Sequence, residues 1–312
     1  MRIKVLGSAA GGGFPQWNCG CPNCSRLRAG SLKGGARTQA QVVVSPFPGI
    51  WFLLNASPDL RQQLLRDSDF APSGPRTTPV AGIILTSADT DCVMGLLHLR
   101  EFQPLHIYAT EGVRSVIIEE NSLFRTLERS SPPVRWETLP LDRPIPIVAA
   151  PSTWGSDANT ALCCRAVSLG GEFPDYVSRN LLRTVHKDEA VIALELSQAG
   201  KKFFYAPSLP SLNECGKTLL NENSVALLDG TFWTDTELLN IRGEGKTAHE
   251  IGHIPLSGPD GLLEQLRSAR AARRILIHMN NTNPVLDEDS AAYRAVRDAG
   301  WEVAYDGMEI DL

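Results

Sequence analysis

The sequence predicts an α/β protein with two mixed β-sheets and helices outside them. Early strand-like stretches follow one another across tight turns, as hairpins do. Later strands alternate with helical stretches. No fixed-period repeat, low-complexity tract or linker interrupts the 312 residues, a length that allows one large domain or two small ones.

The elements follow in order. Met1, Ile3 and Val5 alternate with Arg2 and Lys4, which gives a half-buried strand running into the glycine-rich loop Gly7–Gly13. Strands are expected at Thr38–Val44 and Ile50–Leu54, with the turn Ser45-Pro46-Phe47-Pro48-Gly49 between them. Ser57 as N-cap and Pro58 at the first helical position open a helix striped by Leu60, Leu64 and Leu65. The buried strand Val80–Leu85 ends in Thr86-Ser87-Ala88-Asp89-Thr90-Asp91-Cys92, and a helix runs from Val93 to about Leu99. Leu105–Ala109 is a strand, and Thr110 caps a helix to about Glu120. Residues 130–160 and 168–188 read as irregular lids or insertions, around a strand at Cys163–Val167. Ala190–Leu196 and Lys201–Tyr205 form a hairpin around Gln198-Ala199-Gly200. Val225–Leu228 and Ile275–Ile277 are short strands, Leu262, Leu263 and Leu266 mark a helix, and a last helix (Ser290–Ala299) precedes a last strand (Trp301–Tyr305).

Composition narrows the function. Hydrophobic residues make up 43% and charged residues 21%, as in a globular protein, and the net charge of −5 excludes a generally basic nucleic-acid binder. The longest apolar runs, such as Ile50–Leu54, are too short for a membrane span, and the N-terminus lacks the apolar stretch of a signal peptide. The expected location is the cytoplasm, with neither a membrane nor a nucleic acid as partner.

Familiar motifs fail on register. After Gly11 and Gly13 the third position of a dinucleotide loop holds Gln16. The phosphate-loop fragments at Lys217-Thr218 and Lys246-Thr247 lack their first glycine, and no Gly-x-Ser-x-Gly elbow exists. Three of the seven cysteines, however, sit together as Cys19, Cys21 and Cys24, flanked by Gly20 and Pro22 in a tight knuckle. Clustered thiolates of this kind suit zinc, which prefers four tetrahedral ligands. Asp306 and Asn281 are both open as the fourth. Asp89, Asp91 and Cys92 stand at a strand-to-helix turn, and His278 ends a later strand before Asn280, Asn281, Thr282 and Asn283. On spacing alone Asp91 is as well explained as a helix cap and Cys92 as a small core residue. Asp229 either orients a histidine or fills a turn, and His253 is open as ligand, acid–base group or loop histidine.

The stretch Val5–Gly13 through Gln16-Trp17-Asn18-Cys19 resembles the opening of the pyrroloquinoline quinone (PQQ) biosynthesis protein B family, PqqB. So do Asn55-Ala56-Ser57-Pro58-Asp59, Gly95 through Glu101, Leu227–Thr231, and His278 through Pro284. Arg37-Thr38-Gln39 and Tyr305–Met308 also match, so the resemblance runs end to end in order. It implies a metallo-β-lactamase fold, an αββα sandwich, as a single domain over 1–312 with a structural zinc at Cys19, Cys21 and Cys24. It also implies a role in making the quinone cofactor from a Glu–Tyr precursor, by hydroxylation of the tyrosine with non-haem iron and dioxygen. The superfamily pattern His-x-His-x-Asp-His falls on Ser87, Ala88, Asp89, Thr90, Asp91 and Cys92. The resemblance therefore implies a second metal at Asp91, Cys92 and His278, with Asp89 a weaker ligand and His253 moving protons. Cys92 departs from the family's histidine, and a thiolate there shifts metal preference from Fe2+ toward Zn2+. The competing readings are a carrier for PQQ or its precursor with a decayed metal site, and a phosphodiesterase-like hydrolase. A homodimer is the assembly considered.

Overall fold

The alternation at the N-terminus becomes strand β1 (Arg2–Gly7), whose Ile3 and Val5 are fully buried. The structure, a computed structural model, describes residues 1–101, 104–129, 134–150 and 158–312. The chain divides into two compact units, one of 1–6, 41–202 and 309–312 and the other of 7–40 and 203–308. The strands fall into two mixed sheets, as the sequence predicts.

In the first unit β2 (Gln41–Phe47) and β3 (Ile50–Leu54) are antiparallel, with a register shift between Val44 and Phe47. The turn is accordingly shorter than expected, because β2 runs on through Ser45-Pro46-Phe47. From β3 the sheet continues in parallel through β4 (Val80–Ile84), β5 (His106–Ala109) and β6 (Arg135–Thr138). Parallel strands buried on both faces read as unbroken apolar runs, and Val80–Ile84 is buried throughout. Between β3 and β4 the helix begins at Leu60, two residues later than expected. Ser57 Oγ accepts the Asp59 amide at 3.1 Å, forming a turn before the helix rather than a cap on it. The stretch after β4 is helical only at Thr90–Val93 and tightens to a 3₁₀ helix over Met94–Leu99. Gly95 permits that path, since a Cβ there would lie 2.2 Å from the Ser57 carbonyl oxygen.

The region 130–160 contributes β6 and β7 (Ile145–Ala149); its residues 130–133 and 151–157 lie outside the described residues. β8 (Ala158–Gly170) is far longer than the Cys163–Val167 expectation and pairs antiparallel with β7 and with β9 (Val191–Gln198). The turn to β10 (Lys201–Ala206) is Ala199-Gly200, both with positive φ. In the second unit β10, β11 (Val225–Asp229), β12 (Arg273–Ile277) and β13 (Glu302–Val303) run parallel. Ser290 caps the helix Ala291–Asp298 by accepting the Tyr293 amide at 2.9 Å. A last strand, β14 (Met308–Asp311), joins the edge of the first sheet beside β1; the sequence did not signal it. Among the described residues no helix is long and apolar enough to cross a membrane.

Candidate functional site

The cysteine knuckle forms because Cys21 sits at the N-cap of the helix Pro22–Arg28, with Pro22 at its first position. The three sulfur atoms lie within 4.8 Å of one another. Three thiolates at about 2.3 Å from a tetrahedral ion would stand about 3.8 Å apart, so the trio fits zinc. The side-chain amide of Asn281 faces all three sulfurs, at 3.1 Å from Cys19, 3.5 Å from Cys21 and 3.4 Å from Cys24. A half-turn of that amide puts its oxygen in the same place. This ranks Asn281 above Asp306, whose carboxylate is committed to Ser8 Oγ at 2.8 Å and to the Thr38 amide and hydroxyl at 2.7 and 2.8 Å. Burial pushes the Cys21 thiol up to about 11. Burial also opposes ionisation of Cys19, but donors from Cys21, Asn281 and Cys24 outweigh it and hold that thiol below its ordinary value.

A second cluster lies at the ends of β11 and β12, which pair Asp229 with Ile277 and so place Asp229 beside the residue before His278. One carboxylate oxygen of Asp229 and one ring nitrogen each of His253 and His278 lie within 4.8 Å of one another. Asp229 is fully buried. Its Oδ2 accepts the Leu209 amide at 2.9 Å and faces His253 Nδ1 at 2.6 Å. Its Oδ1 accepts the Thr231 amide at 2.9 Å and the Thr231 hydroxyl at 2.5 Å. Four donors thus fill the carboxylate's lone-pair directions. The Thr231 oxygen stands 2.8 Å from His278 Nδ1. The Thr231 hydroxyl also lies 2.9 Å from the His278 carbonyl; where its one hydrogen goes to the shorter contact with Asp229, Thr231 accepts from Nδ1–H of His278, and each imidazole then carries its lone pair on Nε2. The rings stack with centroids 5.6 Å apart. Burial alone would raise the Asp229 carboxyl, but His253, His278 and Thr231 outweigh it and hold it below the usual carboxylate range.

The backbone here allows no bulk. A Cβ on Gly230 would meet the Met279 sulfur at 2.6 Å. His278 itself adopts φ 63°, a left-handed conformation costly for any residue but glycine. The segment after it is bracketed by Glu237, which accepts from the Thr282 hydroxyl at 2.5 Å and the Trp233 amide at 2.7 Å. Burial pushes the Glu237 carboxyl up to about 7.

In the first unit, Asp89 is the N-cap residue of Thr90–Val93, and its Oδ2 accepts from Ser87 Oγ at 2.7 Å. Asp91 lies inside the first turn of that helix, so it is not the cap of a later one. Cys92 keeps some accessible surface, yet its thiol is packed closely enough that burial, then Asp91 and Asp89, hold it well above its ordinary value. The Tyr176 hydroxyl, from the irregular stretch after β8, donates to the Ala88 carbonyl.

The structure therefore brings together Cys19, Cys21 and Cys24, and separately His253 and His278, while Asp91 and Cys92 belong to the other unit. Sequence reasoning missed Thr231 as the link between Asp229 and His278, and Glu237 altogether. Asp229-Gly230-Thr231 did hold a signal, because an aspartate that ends a strand commonly accepts the amide two residues on.

The comparisons agree with this architecture. A family model described as a β-lactamase superfamily domain matches residues 50–279. The fold is that of the metallo-β-lactamases, two mixed sheets with helices, which bears out the expected fold class. Coenzyme PQQ synthesis protein B of Methylobacillus flagellatus is 42% identical, and that of Methylococcus capsulatus 40%, each over 100% of both chains. The crystal structure of Zn2+-bound PqqB from Methylobacterium extorquens matches with a TM-score of 0.89 at 34% identity, covering 100% of both chains. A diphosphatase of the PhnP family shares the fold, with a TM-score of 0.65 at 17% identity over 100% of this chain and 97% of that one. The chain belongs to the coenzyme PQQ synthesis protein B family.

Proposed function

We propose that this protein serves PQQ synthesis through a metal-dependent step, the hydroxylation of the tyrosine in a Glu–Tyr precursor. The observation that carries the reading is the pair of imidazoles, His253 and His278, both oriented through one buried carboxylate, Asp229. Two histidines held in a fixed tautomer suit a non-haem iron centre, and bound iron would supply the one-electron and dioxygen chemistry. Asp229 holds His253 directly and His278 through Thr231, so neither ring turns when substrate arrives. With Nδ1 of His253 turned to Asp229, its Nε2 would be offered to the metal, so His253 serves as a ligand rather than as the group that moves protons. The family relationship supports the pathway, and the zinc of the Methylobacterium extorquens protein supports a structural zinc at Cys19, Cys21 and Cys24, with Asn281 as the fourth ligand.

Asp91 and Cys92, with Asp89 weaker, remain proposed metal ligands. Metal analysis of Cys92→Ser and Cys92→His beside the wild type tests Cys92: loss in the serine variant with retention in the histidine variant supports it, and unchanged content in the serine variant removes it. Hydroxylation itself is tested with iron-loaded full-length protein, the Glu–Tyr dipeptide, ascorbate as reductant and dioxygen. The expected product is one oxygen atom heavier, forms only with dioxygen, and is lost in His278→Ala. No such product at full iron occupancy overturns the reading.

A further inference from the structure

The second unit contains a cavity of about 470 Å³ between the loop carrying Arg37 and the helix Ala291–Asp298. Among its lining residues is Arg37, only 8% exposed. The Arg37 backbone is pinned by two hydrogen bonds with Phe14, of 2.7 and 2.8 Å, and its Nη1 donates to the Ala304 carbonyl. Among the described residues Nε and Nη2 make no hydrogen bond, and no carboxylate lies within ion-pairing distance of the guanidinium. A largely buried guanidinium whose one hydrogen-bond acceptor is a neutral carbonyl is costly. The acids around the cavity relieve it only in part: Asp306 and Glu288 act on the guanidinium through space, but burial outweighs them. Asp306 is saturated by Ser8 and Thr38, Glu302 is gripped by Arg273 through two bonds of 2.8 Å, and Glu288 is exposed. A second arginine, Arg297, lines the same space, as do the rings of Tyr293 and Tyr305.

We propose that this cavity is a ligand site separate from the histidine cluster, taking the carboxylate of a small aromatic acid, with Arg37 as its anchor. The carboxylate supplies the charge and the two acceptor oxygens that Nε and Nη2 lack, in the planar fork geometry a guanidinium favours. Arg297 screens the outer oxygen, and the tyrosine rings flank the aromatic body. The volume suits one ring and its acid group.

The probe is 4-hydroxyphenylacetate, titrated calorimetrically into the full-length protein, against 4-hydroxyphenylethanol, which keeps the ring and loses the charge. Saturable binding of the acid is expected, with the alcohol weaker by about tenfold or more. Arg37→Lys and Arg297→Gln should each weaken the acid, the former by about tenfold, while His278→Ala leaves it unchanged. Arg37→Lys keeps the charge but loses the fork, so loss of binding with an unchanged melting curve separates anchoring from folding. The probe should also shield Arg37 from phenylglyoxal in the wild type, a readout that needs no variant. No saturation up to about 10 mM, equal binding of acid and alcohol, indifference to both arginine variants, loss in His278→Ala, or no shielding of Arg37 overturns the proposal.

Discussion

Asp229 is the residue on which the histidine cluster turns. Its four acceptor positions are matched by four donors, so an amide in its place must present N–H groups to other N–H groups. Asp229→Asn should lower stability by about 2 kcal/mol or more and abolish turnover, while thermal melting still shows a folded protein. The sequence offered Asp229 as a group that orients a histidine or fills a turn. The structure shows the first, and spacing could not decide it because His253 lies 24 residues on. At the knuckle the reverse holds. Cys19, Cys21 and Cys24 are close in sequence and therefore legible, but the choice between Asn281 and Asp306 as their neighbour is not, since only folding brings Asn281 there. Asn281→Ala should cut zinc affinity by about tenfold or more, and Asn281→Asp should retain it, as competition with a chromogenic chelator would show. Equal affinity in all three proteins would return the fourth position to water.

Among elements, the turn after β12 depends on an acid that carries its proton near neutrality. Glu237 has a folded value of about 7, above the 4.5 of an unburied glutamate. Below pH 4.5 both folded and unfolded chains hold the proton, and the stability from this group is fully present. As pH rises toward 7 the unfolded chain releases its proton first, so stability falls, then levels off above the folded value. Glu237→Gln should flatten that dependence and gain up to about 3 kcal/mol over the wild type at pH 8, measured by urea unfolding from pH 4.5 to 8. A wild type whose stability rises across that range would contradict the assignment. Element boundaries show where local sequence misleads. Ser57-Pro58 looks like a helix start, but the serine hydroxyl is spent on a turn and the helix waits for Leu60. Met308-Glu309-Ile310-Asp311 does alternate, yet four residues are too few to declare a strand until β1 is there to receive them.

For the molecule as a whole, stability draws on charges far apart in the chain. Lys4, only 6% exposed along its side chain, sits 2.9 Å from Asp67, 2.7 Å from Asp69 and 3.1 Å from Glu309. Removing the ammonium leaves Asp67 without its cation and Asp69 and Glu309 with Arg2 alone, so Lys4→Met should cost about 2 kcal/mol at neutral pH and less in acid, as parallel melts would reveal. A pH-independent loss would assign the effect to packing alone. The left-handed backbone at His278 points to one more whole-protein effect. Glycine is the natural occupant of that conformation, so His278→Gly removes the ring and the conformational penalty in a single change. The truncated protein should melt close to the parent temperature and be left with a ring-sized vacancy beside Thr231. Imidazole dissolved in the buffer can then fill that vacancy, and activity that returns in proportion to its concentration would make the side chain a replaceable part.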